Sequence, residues 1–309
     1  MNHVTTHPLD PDDAAPMNAF RAMVIPLKGK LSGIEARPGF DAVMERVVPR
    51  DDVTFNADTV AGVPGLWVRP AQFRSDEAIL YLHAGWFSLG SAHAYRHLVA
   101  HVAGRSSAQA FIPDYRLAPE HPFPAATDDV LASYRGLAKL GVQRIAIAGD
   151  SAGGNLALVL ASCVTADDFR ANAILAGVAV QSPLTDLSLS SQTYETRAEA
   201  DPLFTRAQAA EFVTAYLDGA DPKHPLASPL YARFSSLPAI RVHVGDDEVL
   251  LDDSRRYVER AVAAGVDARL DVWMGMPHGF AGSVGQLKAS DRALDTISGF
   301  LANALRGGN

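Results

Sequence analysis

A serine in the middle of the chain has the surroundings of a catalytic nucleophile. Ser151 lies in Gly149-Asp150-Ser151-Ala152-Gly153, directly after the apolar run 145–148 and before an apolar helical stretch over 152–164. A serine at a tight strand-to-helix turn projects its hydroxyl above the sheet, and the helix behind it directs free N–H groups at a developing oxyanion. A glycine-rich turn without chemistry has a similar composition, but the position between strand and helix favours a nucleophile for acyl transfer.

A serine hydroxyl becomes a nucleophile when a histidine takes its proton, and a carboxylate orients that histidine. After Ser151 the chain has three histidines, His224, His243 and His278. His243 falls inside the predicted strand 240–244, where its ring would face sheet neighbours. His278 follows the last predicted strand, and loops at the carboxyl ends of strands are where sites are built on parallel sheets. We therefore predict His278 as the base.

Candidates for the carboxylate are concentrated in the loop 245–253, which follows the predicted strand 240–244. The next predicted strand, 270–273, is the one that precedes His278. The five acids of this loop are Asp246, Asp247, Glu248, Asp252 and Asp253. Acidic residues are also expected in the first turn of a helix, where they cap free N–H groups. The residues alone therefore leave the choice open.

The elements that must position these residues alternate along the chain. Eight short apolar or β-branched runs are predicted strands: 53–55, 66–68, 78–82, 110–112, 145–148, 178–180, 240–244 and 270–273. Amphipathic helical stretches fall between the later strands, at 92–104, 126–139, 152–164 and 254–264. This alternation predicts an α/β fold with a mostly parallel, eight-stranded sheet and helices on both faces. The first two strands are joined too closely for a crossover helix and are predicted to pair antiparallel.

Two segments lie outside this alternation, at 1–50 and about 185–225, and neither contains a predicted strand. The second includes a helical stretch over 206–217. We expect these two segments, called the cap segments below, to pack together as a helical cap on a single domain spanning 1–309. Two unrelated surface excursions are the alternative.

Composition and charge exclude several classes of protein. The chain has 309 residues, of which 48% are hydrophobic and 20% charged, with a formal net charge of −8. Such a charge repels phosphate backbones and anionic lipid surfaces, so we expect no nucleic-acid partner. No apolar run reaches the roughly 18 residues of a membrane helix, and the polar N-terminus lacks the apolar stretch of a secretory signal. We expect a soluble, cytoplasmic protein with no membrane association.

Two motifs resemble a known family. The nucleophile region reads Gly-Asp-Ser-Ala-Gly-Gly-Asn over 149–155, and residues 115–126 read Tyr-Arg-Leu-Ala-Pro-Glu-His-Pro-Phe-Pro-Ala-Ala. Both are typical of the bacterial hormone-sensitive lipase family (family IV) of carboxylesterases, and the resemblance covers about 66–280. It implies an α/β-hydrolase fold and a serine esterase that needs no metal or organic cofactor. It also implies a possible homodimer, formed if an exposed last strand, 270–274, pairs with its counterpart.

The resemblance also assigns the oxyanion hole. The family has His-Gly-Gly-Gly-Phe where this chain has His83-Ala84-Gly85-Trp86-Phe87. Carried over by position, the donors are the backbone N–H groups of Gly85, Trp86 and Ala152. Trp86 must then adopt the conformation of a glycine, and we expect its indole in the wall of the acyl pocket or on the underside of the cap.

For the triad acid, the family's Asp-Pro-Leu-x-Asp aligns with 248–252, which makes Glu248 the expected carboxylate and Asp247 the alternative. Candidate residues lining the substrate pocket are aromatic, namely Phe20, Phe87, Phe204 and Phe212. We expect Glu248 to hold the His278 imidazole, since other α/β-hydrolases use glutamate in this role.

The expected substrate is a small-molecule ester with a short acyl chain. A weaker resemblance of 218–231 and 245–253 to ε-lactone and monoterpene lactone hydrolases adds a lactone as the alternative substrate. A more distant alternative is a non-catalytic ligand-binding protein on the same fold, since fold alone does not establish chemistry. The presence of His278 argues against it, because certain plant hormone receptors that resemble this family have lost the catalytic histidine.

Overall fold

One mixed sheet of nine strands runs through the computed structural model, which describes residues 3–30, 32–166 and 172–308. The strands are β1 (Val4–His7), β2 (Val53–Val60), β3 (Val63–Pro70), β4 (Glu77–Leu82), β5 (Gln109–Pro113), β6 (Arg144–Asp150), β7 (Ile174–Gln181), β8 (Ile240–Gly245) and β9 (Ala268–Trp273). Their order across the sheet is β1-β9-β8-β7-β6-β4-β5-β3-β2.

Helices connect and cover these strands. They are α1 (Pro11–Val24), α2 (Arg37–Met44), α3 (Ala92–Ser106), α4 (Ala125–Lys139), α5 (Ala152–Val164), α6 (Thr193–Thr196), α7 (Arg206–Leu217), α8 (Leu251–Ala263) and α9 (Lys288–Leu305). Short 3-10 turns occur at Ile25–Leu27, Ile34–Ala36, Pro229–Tyr231 and Phe280–Gly282. Among the helices within the described ranges, none has the length and apolar character that crossing a bilayer requires.

The predicted α/β architecture is confirmed. Each of the eight predicted strands lies within an observed strand, and β2 pairs antiparallel with β3 as expected from their short connection. β3 also pairs antiparallel with β5, while the other pairings in the sheet are parallel.

The predicted number of strands is wrong, because the first cap segment contributes β1. Val4–His7 pairs parallel with β9, in a register that places His7 opposite Trp273. The His7 ring stacks on Trp273 at 3.9 Å, and its Nε2 lies 2.7 Å from the carboxylate of Asp271. Since β9 is thereby paired on both sides, the prediction of an exposed last strand at 270–274 is also wrong. The pairing of β9 with both β1 and β8 removes the basis for a dimer formed through β9.

Alternation along the central strands divides the core into two layers. In β4, Ala78, Leu80 and Leu82 face the cluster packed by α4, α5 and α8, whereas Ile79 and Tyr81 face the cluster packed by α3 and α9. All five side chains are at most 1% exposed. A strand that is buried on both faces has a continuous apolar sequence, as β4 does. The helices packed on both faces hold the carboxyl end of β4 in a fixed position.

The first cap segment donates hydrogen bonds to backbone carbonyls of the second. The Arg21 guanidinium donates to the carbonyl of Ala200 at 2.9 Å, and the Lys28 ammonium donates to that of Asp201 at 2.6 Å. Gly29 N–H donates to the carbonyl of Leu203 at 3.3 Å. Of the first segment, Met1, Asn2 and Leu31 lie outside the described residues.

Candidate active site

Ser151 occupies the turn between β6 and α5 in a strained conformation. Its backbone has φ +55° and ψ −118°, a region that residues with side chains rarely adopt and that costs about 1–3 kcal/mol. Three backbone hydrogen bonds hold it: Ser151 N–H donates to the Gln181 carbonyl at 2.8 Å, and the Ser151 carbonyl accepts from Asn155 N–H at 2.9 Å and from Leu184 N–H at 3.3 Å. The side chain stands at the carboxyl end of the sheet, as predicted for a serine in this turn.

Gly153 brings the N-terminus of α5 against the end of β4. A Cβ atom at Gly153 would lie 2.0 Å from the Leu82 carbonyl oxygen and 2.4 Å from that of His83, which no side chain could tolerate. The first turn of α5 therefore packs directly beside the loop that begins at His83. The sequence motif around Ser151 thus positions a second loop as well as the serine.

That second loop, residues 83–90, is called the oxyanion loop below. Its backbone has three consecutive positive φ angles, +124° at Gly85, +55° at Trp86 and +60° at Phe87. Trp86 thus has a glycine-like conformation. Among the described residues, the backbone N–H groups of Gly85 and Trp86 meet no hydrogen-bond acceptor of the chain. These two groups, with the N–H of Ala152 at the start of α5, are free to bind an anionic oxygen.

His278 forms a hydrogen-bonded pair with the buried Glu248. His278 Nδ1 lies 2.8 Å from Glu248 Oε2, and the Glu248 side chain is 0% exposed. Because a carboxylate only accepts, Nδ1 carries the proton and Nε2 is left as an acceptor. The other carboxylate oxygen, Oε1, accepts from the Ser182 hydroxyl and from Gly245 N–H, both at 2.7 Å.

The alternative acid, Asp247, faces a different partner. Its carboxylate accepts from the Arg21 guanidinium at 2.5 Å. The remaining acids of the loop also bind elsewhere: Asp246 accepts from Gly275 N–H, Asp252 from Gln192 N–H, and Asp253 from the N–H groups of Thr185 and Asp186. The structure therefore brings Glu248, and none of its four neighbours, to His278.

Gly245 allows the loops after β8 and β9 to meet. A Cβ atom on Gly245 would lie 2.0 Å from the Met276 carbonyl oxygen. Asp247 N–H donates to this same carbonyl at 3.2 Å, and Asp246 N–H donates to that of Trp273 at 3.0 Å. The segment that carries Glu248 is therefore fastened to the segment that carries His278.

Charges around His278 outweigh the effect of its burial. Burial lowers the pKa of the imidazole, but the hydrogen bond to Glu248 and the negative charges of Glu248, Asp201 and Asp150 leave the pKa raised overall. Asp150 accepts from the Tyr81 and Tyr95 hydroxyls, both at 3.1 Å, and burial raises its pKa to about 6. These negative charges therefore stabilise the protonated, imidazolium form of His278.

Three aromatic side chains enclose this centre on the side of the second cap segment. The Phe204 ring meets the His278 ring edge-on at 5.0 Å between centroids and the Trp86 indole at 5.1 Å. Phe212 stacks on the Trp86 indole at 5.7 Å. The indole therefore contacts residues of the cap segment and is only 2% exposed.

Phe87 and Phe20, also predicted to line the pocket, have other contacts. Phe87 stacks on Tyr216 of α7 at 3.8 Å and is 1% exposed. Phe20 packs against a separate cluster that includes Trp273 and Phe280. The structure therefore does not bring these two rings together with Phe204 and Phe212.

The strand histidine, His243, is buried in β8 as expected. Its Nδ1 accepts from the Trp273 indole N–H at 3.2 Å, and burial lowers its pKa to about 4. Its ring packs beside that of Trp273, with 6.2 Å between the ring centroids, and the structure brings His278, not His243, to the Glu248 carboxylate.

Sequence reasoning missed two residues that support the acid loop. Ser182 follows β7 and donates to Glu248. Its position directly after a strand is the feature of the sequence that could have identified it as a site residue. Asp201, which is fully buried, accepts from Val249 N–H at 2.8 Å and from Phe204 N–H at 2.9 Å. It thereby joins the cap segment to the residue following Glu248, and no local pattern indicates that contact.

The sequence of the chain is similar to those of known hydrolases. A sequence model described as alpha/beta hydrolase fold matches residues 79–282. An acetyl-hydrolase from Streptomyces hygroscopicus is 35% identical over 259 residues, which cover 83% of this chain and 84% of that protein.

Solved structures are similar over almost the whole chain. The crystal structure of EstE5 soaked with ethyl alcohol has a TM-score of 0.89 and 35% identity, covering 96% of this chain and 99% of EstE5. An esterase from the bacterial hormone-sensitive lipase family has a TM-score of 0.88 and 33% identity, covering 94% of this chain and 99% of that esterase.

Proposed function

The chain belongs to the α/β-hydrolase family and, within it, to the bacterial hormone-sensitive lipase family of carboxylesterases, and we propose that it hydrolyses short-chain acyl esters through Ser151, His278 and Glu248. That the chain is a carboxylic ester hydrolase follows from its relatives. The identity of the catalytic residues and the preferred acyl length are our proposals.

One observation carries the assignment of residues: His278 Nδ1 lies 2.8 Å from the buried Glu248 carboxylate, in the loop that follows β9. This contact fixes the tautomer, so that Nε2 is free to accept a proton. The strained turn that presents Ser151 lies on the same edge of the sheet, since β6, β8 and β9 are parallel. A nucleophile, a base and an orienting carboxylate are thus supplied by three strand ends.

In the first half of the reaction, Ser151 Oγ attacks the ester carbonyl carbon while its proton passes to His278 Nε2. The carbonyl π electrons move to oxygen, and the resulting oxyanion accepts from the N–H groups of Gly85, Trp86 and Ala152. Collapse of this intermediate breaks the bond to the alcohol oxygen, which takes the proton from His278. The alcohol leaves, and the acyl group remains on Ser151.

In the second half, water attacks the acyl carbon and gives a proton to the same imidazole nitrogen. The tetrahedral intermediate then breaks its bond to Ser151 Oγ, which recovers the proton from His278, and the carboxylic acid departs. In both halves Glu248 accepts from His278 Nδ1 and keeps the imidazole in this orientation, while Ser182 and Gly245 donate to the other oxygen of the carboxylate.

We also propose that the cap segments cover the site and limit the acyl chain. The support is the pair of contacts from Phe204 and Phe212 to Trp86, which fill the space beside the oxyanion donors with aromatic rings. A long acyl chain would have to displace one of them. The name acetyl-hydrolase, given to the Streptomyces relative, supports a small acyl group. We expect preference for acyl chains of two to about six carbons.

Neither a lactone substrate nor a purely ligand-binding role is supported by the relatives or by the site. The relatives described above are an acetyl-hydrolase and esterases, and no contact of the site favours a lactone ring over an open-chain ester, so we propose no lactone activity. The ligand-binding alternative is set aside because the chain is an ester hydrolase.

The proposal is tested by turnover of p-nitrophenyl esters that carry acyl chains from acetate to hexadecanoate, each below its aggregation limit. Wild type is expected to hydrolyse the short esters, and Ser151→Ala and His278→Ala should each lose roughly a million-fold in kcat. Equal rates for butanoate and hexadecanoate would contradict the short-chain proposal. Full activity in Ser151→Ala would contradict the triad.

A further inference from the structure

The oxyanion loop needs support from outside itself. Trp86 and Phe87 both have positive φ angles that side-chain-bearing residues rarely adopt, and such conformations persist only where the surroundings impose them. Inside the loop, Ser88 and Leu89 donate their N–H groups to the Gly85 carbonyl at 2.9 and 2.8 Å. These two bonds close the turn but do not attach it to the rest of the protein.

Part of the attachment comes from the segment 115–126, the second of the two sequence motifs. The Tyr115 hydroxyl donates to the His83 carbonyl at 2.8 Å, at the start of the loop. Ala118 N–H donates to the Phe87 carbonyl at 2.9 Å, at its centre. The motif therefore forms the support behind the oxyanion loop.

Arg37 fastens the loop and the motif to each other from the first cap segment. Its Nε donates to the Ser88 carbonyl at 2.8 Å, and its Nη2 donates to the Ala118 carbonyl at 3.0 Å. Both terminal nitrogens also donate to the Glu120 carboxylate, at 2.7 Å each. One guanidinium thus bridges the oxyanion loop, the motif and α2.

The charge of Glu120 holds the guanidinium in this orientation. The hydrogen bonds from Arg37 lower the pKa of Glu120 to about 2, so the pair is ionised across the working range of an esterase. The planar guanidinium of Arg37 can donate to two carbonyls and a carboxylate at once. A lysine ammonium is a point charge that cannot span these three acceptors.

From these contacts we propose that Arg37 is a positioning residue, which holds the oxyanion loop in the conformation that aims the Gly85 and Trp86 N–H groups at the substrate. The proposal rests on the proposed function for its catalytic consequence. Oxyanion donors act only when they are fixed before charge develops, so a loosened loop weakens transition-state binding more than substrate binding.

Kinetics give the first part of the test. Arg37→Ala is expected to lower kcat for p-nitrophenyl acetate about 10- to 100-fold, below the roughly 10²- to 10³-fold that loss of a whole oxyanion donor causes. KM should change by less than about threefold, because ground-state binding is retained. Arg37→Lys should recover only part of the loss. A short-chain trifluoromethyl ketone, which forms a tetrahedral adduct with serine, should bind more weakly by the factor lost in kcat/KM.

Arg105 supplies a matched control. Its guanidinium donates to the Asp291 carbonyl at 3.0 Å and to the Asp291 carboxylate at 2.7 Å, and so joins α3 to α9 away from the oxyanion loop. Arg105→Lys should reduce thermal stability as Arg37→Lys does, while kcat and the affinity for the trifluoromethyl ketone stay at wild-type values.

A second readout is independent of esterase activity. Amide hydrogen exchange of Ser88, Leu89 and Ala118, whose N–H groups are bonded within and behind the loop, should quicken in Arg37→Ala and not in Arg105→Ala. Unchanged exchange in Arg37→Ala would overturn the proposal, and so would faster exchange with kcat within about twofold of wild type. If the wild type hydrolysed no ester, the proposed function would fail, and the exchange experiment would still decide whether Arg37 holds the loop.

Discussion

Replacing Glu248 with glutamine tests what one buried carboxylate does for the imidazole. The wild-type side chain receives three hydrogen bonds, from Ser182 Oγ and Gly245 N–H on one oxygen and from His278 Nδ1 on the other. Glutamine has nearly the same shape but one acceptor and one donor in place of two acceptors. It cannot satisfy all three donors.

Either orientation of the new amide is unfavourable. If its NH₂ faces His278, the imidazole must move its proton to Nε2 and can no longer accept from Ser151. If its NH₂ faces Gly245 instead, two buried N–H groups point at each other, which costs about 1–3 kcal/mol of stability. The first outcome resembles loss of the orienting carboxylate in serine proteases, which lowers kcat by about 10⁴, or about 5 kcal/mol of transition-state stabilisation.

The assay is steady-state hydrolysis of p-nitrophenyl butanoate near neutral pH, with circular dichroism to show that each variant is folded. Asp247→Asn is the matched control, because that acid adjoins Glu248 but binds Arg21. We expect a loss of roughly 10³- to 10⁴-fold in kcat for Glu248→Gln and of less than about tenfold for Asp247→Asn. The reverse order of effects would refute the assignment of the triad acid.

Three further predictions concern charge and volume around the site. The value of kcat/KM should rise with pH through a raised pKa of His278, and Asp150→Asn should move that rise to lower pH, because it removes a negative charge that stabilises the imidazolium. Trp86→Gly should increase activity on longer acyl esters relative to short ones, because removal of the indole opens space beside Phe204 and Phe212. Burial raises the pKa of Asp253 to about 7 from an ordinary 3.8, so the folded state keeps a proton that the unfolded state releases, and stability should fall as pH rises across that interval. Asp253→Asn should flatten this dependence.

Each of these has a direct check. A pH–rate profile of Asp150→Asn that superimposes on wild type would exclude an electrostatic effect of Asp150 on His278. An unchanged ratio of decanoate to butanoate hydrolysis in folded Trp86→Gly would contradict the role given to the indole. For Asp253, urea unfolding at about pH 5 and about pH 8 gives the free energies. The same difference in wild type and Asp253→Asn would show that this carboxyl does not carry the pH dependence.

The sequence predicts well the strands and the site residues that local patterns of residue type indicate. Ser151 and His278 each follow a predicted strand, and the strand ends determine which edge of the sheet carries them. Apolar alternation identified eight strands because each is long enough or apolar enough to be visible alone.

What it does not predict depends on contacts between distant parts of the chain. β1 is four residues long, only partly buried and paired with a strand at the other end of the chain, so its formation depends on a partner that no local window contains. The choice of Glu248 over Asp247 is similar, since Asp247 is held by Arg21, 226 positions away. Arg37 likewise acquires its role only when α2 packs against the loop after β4.

The most direct measurement of the central claim is the site of covalent labelling by phenylmethylsulfonyl fluoride. The reagent reacts with a serine activated by a histidine, and intact mass followed by peptide mapping locates the adduct. We expect one label per chain, on Ser151, with loss of esterase activity in proportion to labelling and no labelling of Ser151→Ala. A stoichiometric label on any other residue, or full activity after Ser151 has been labelled, would contradict the account.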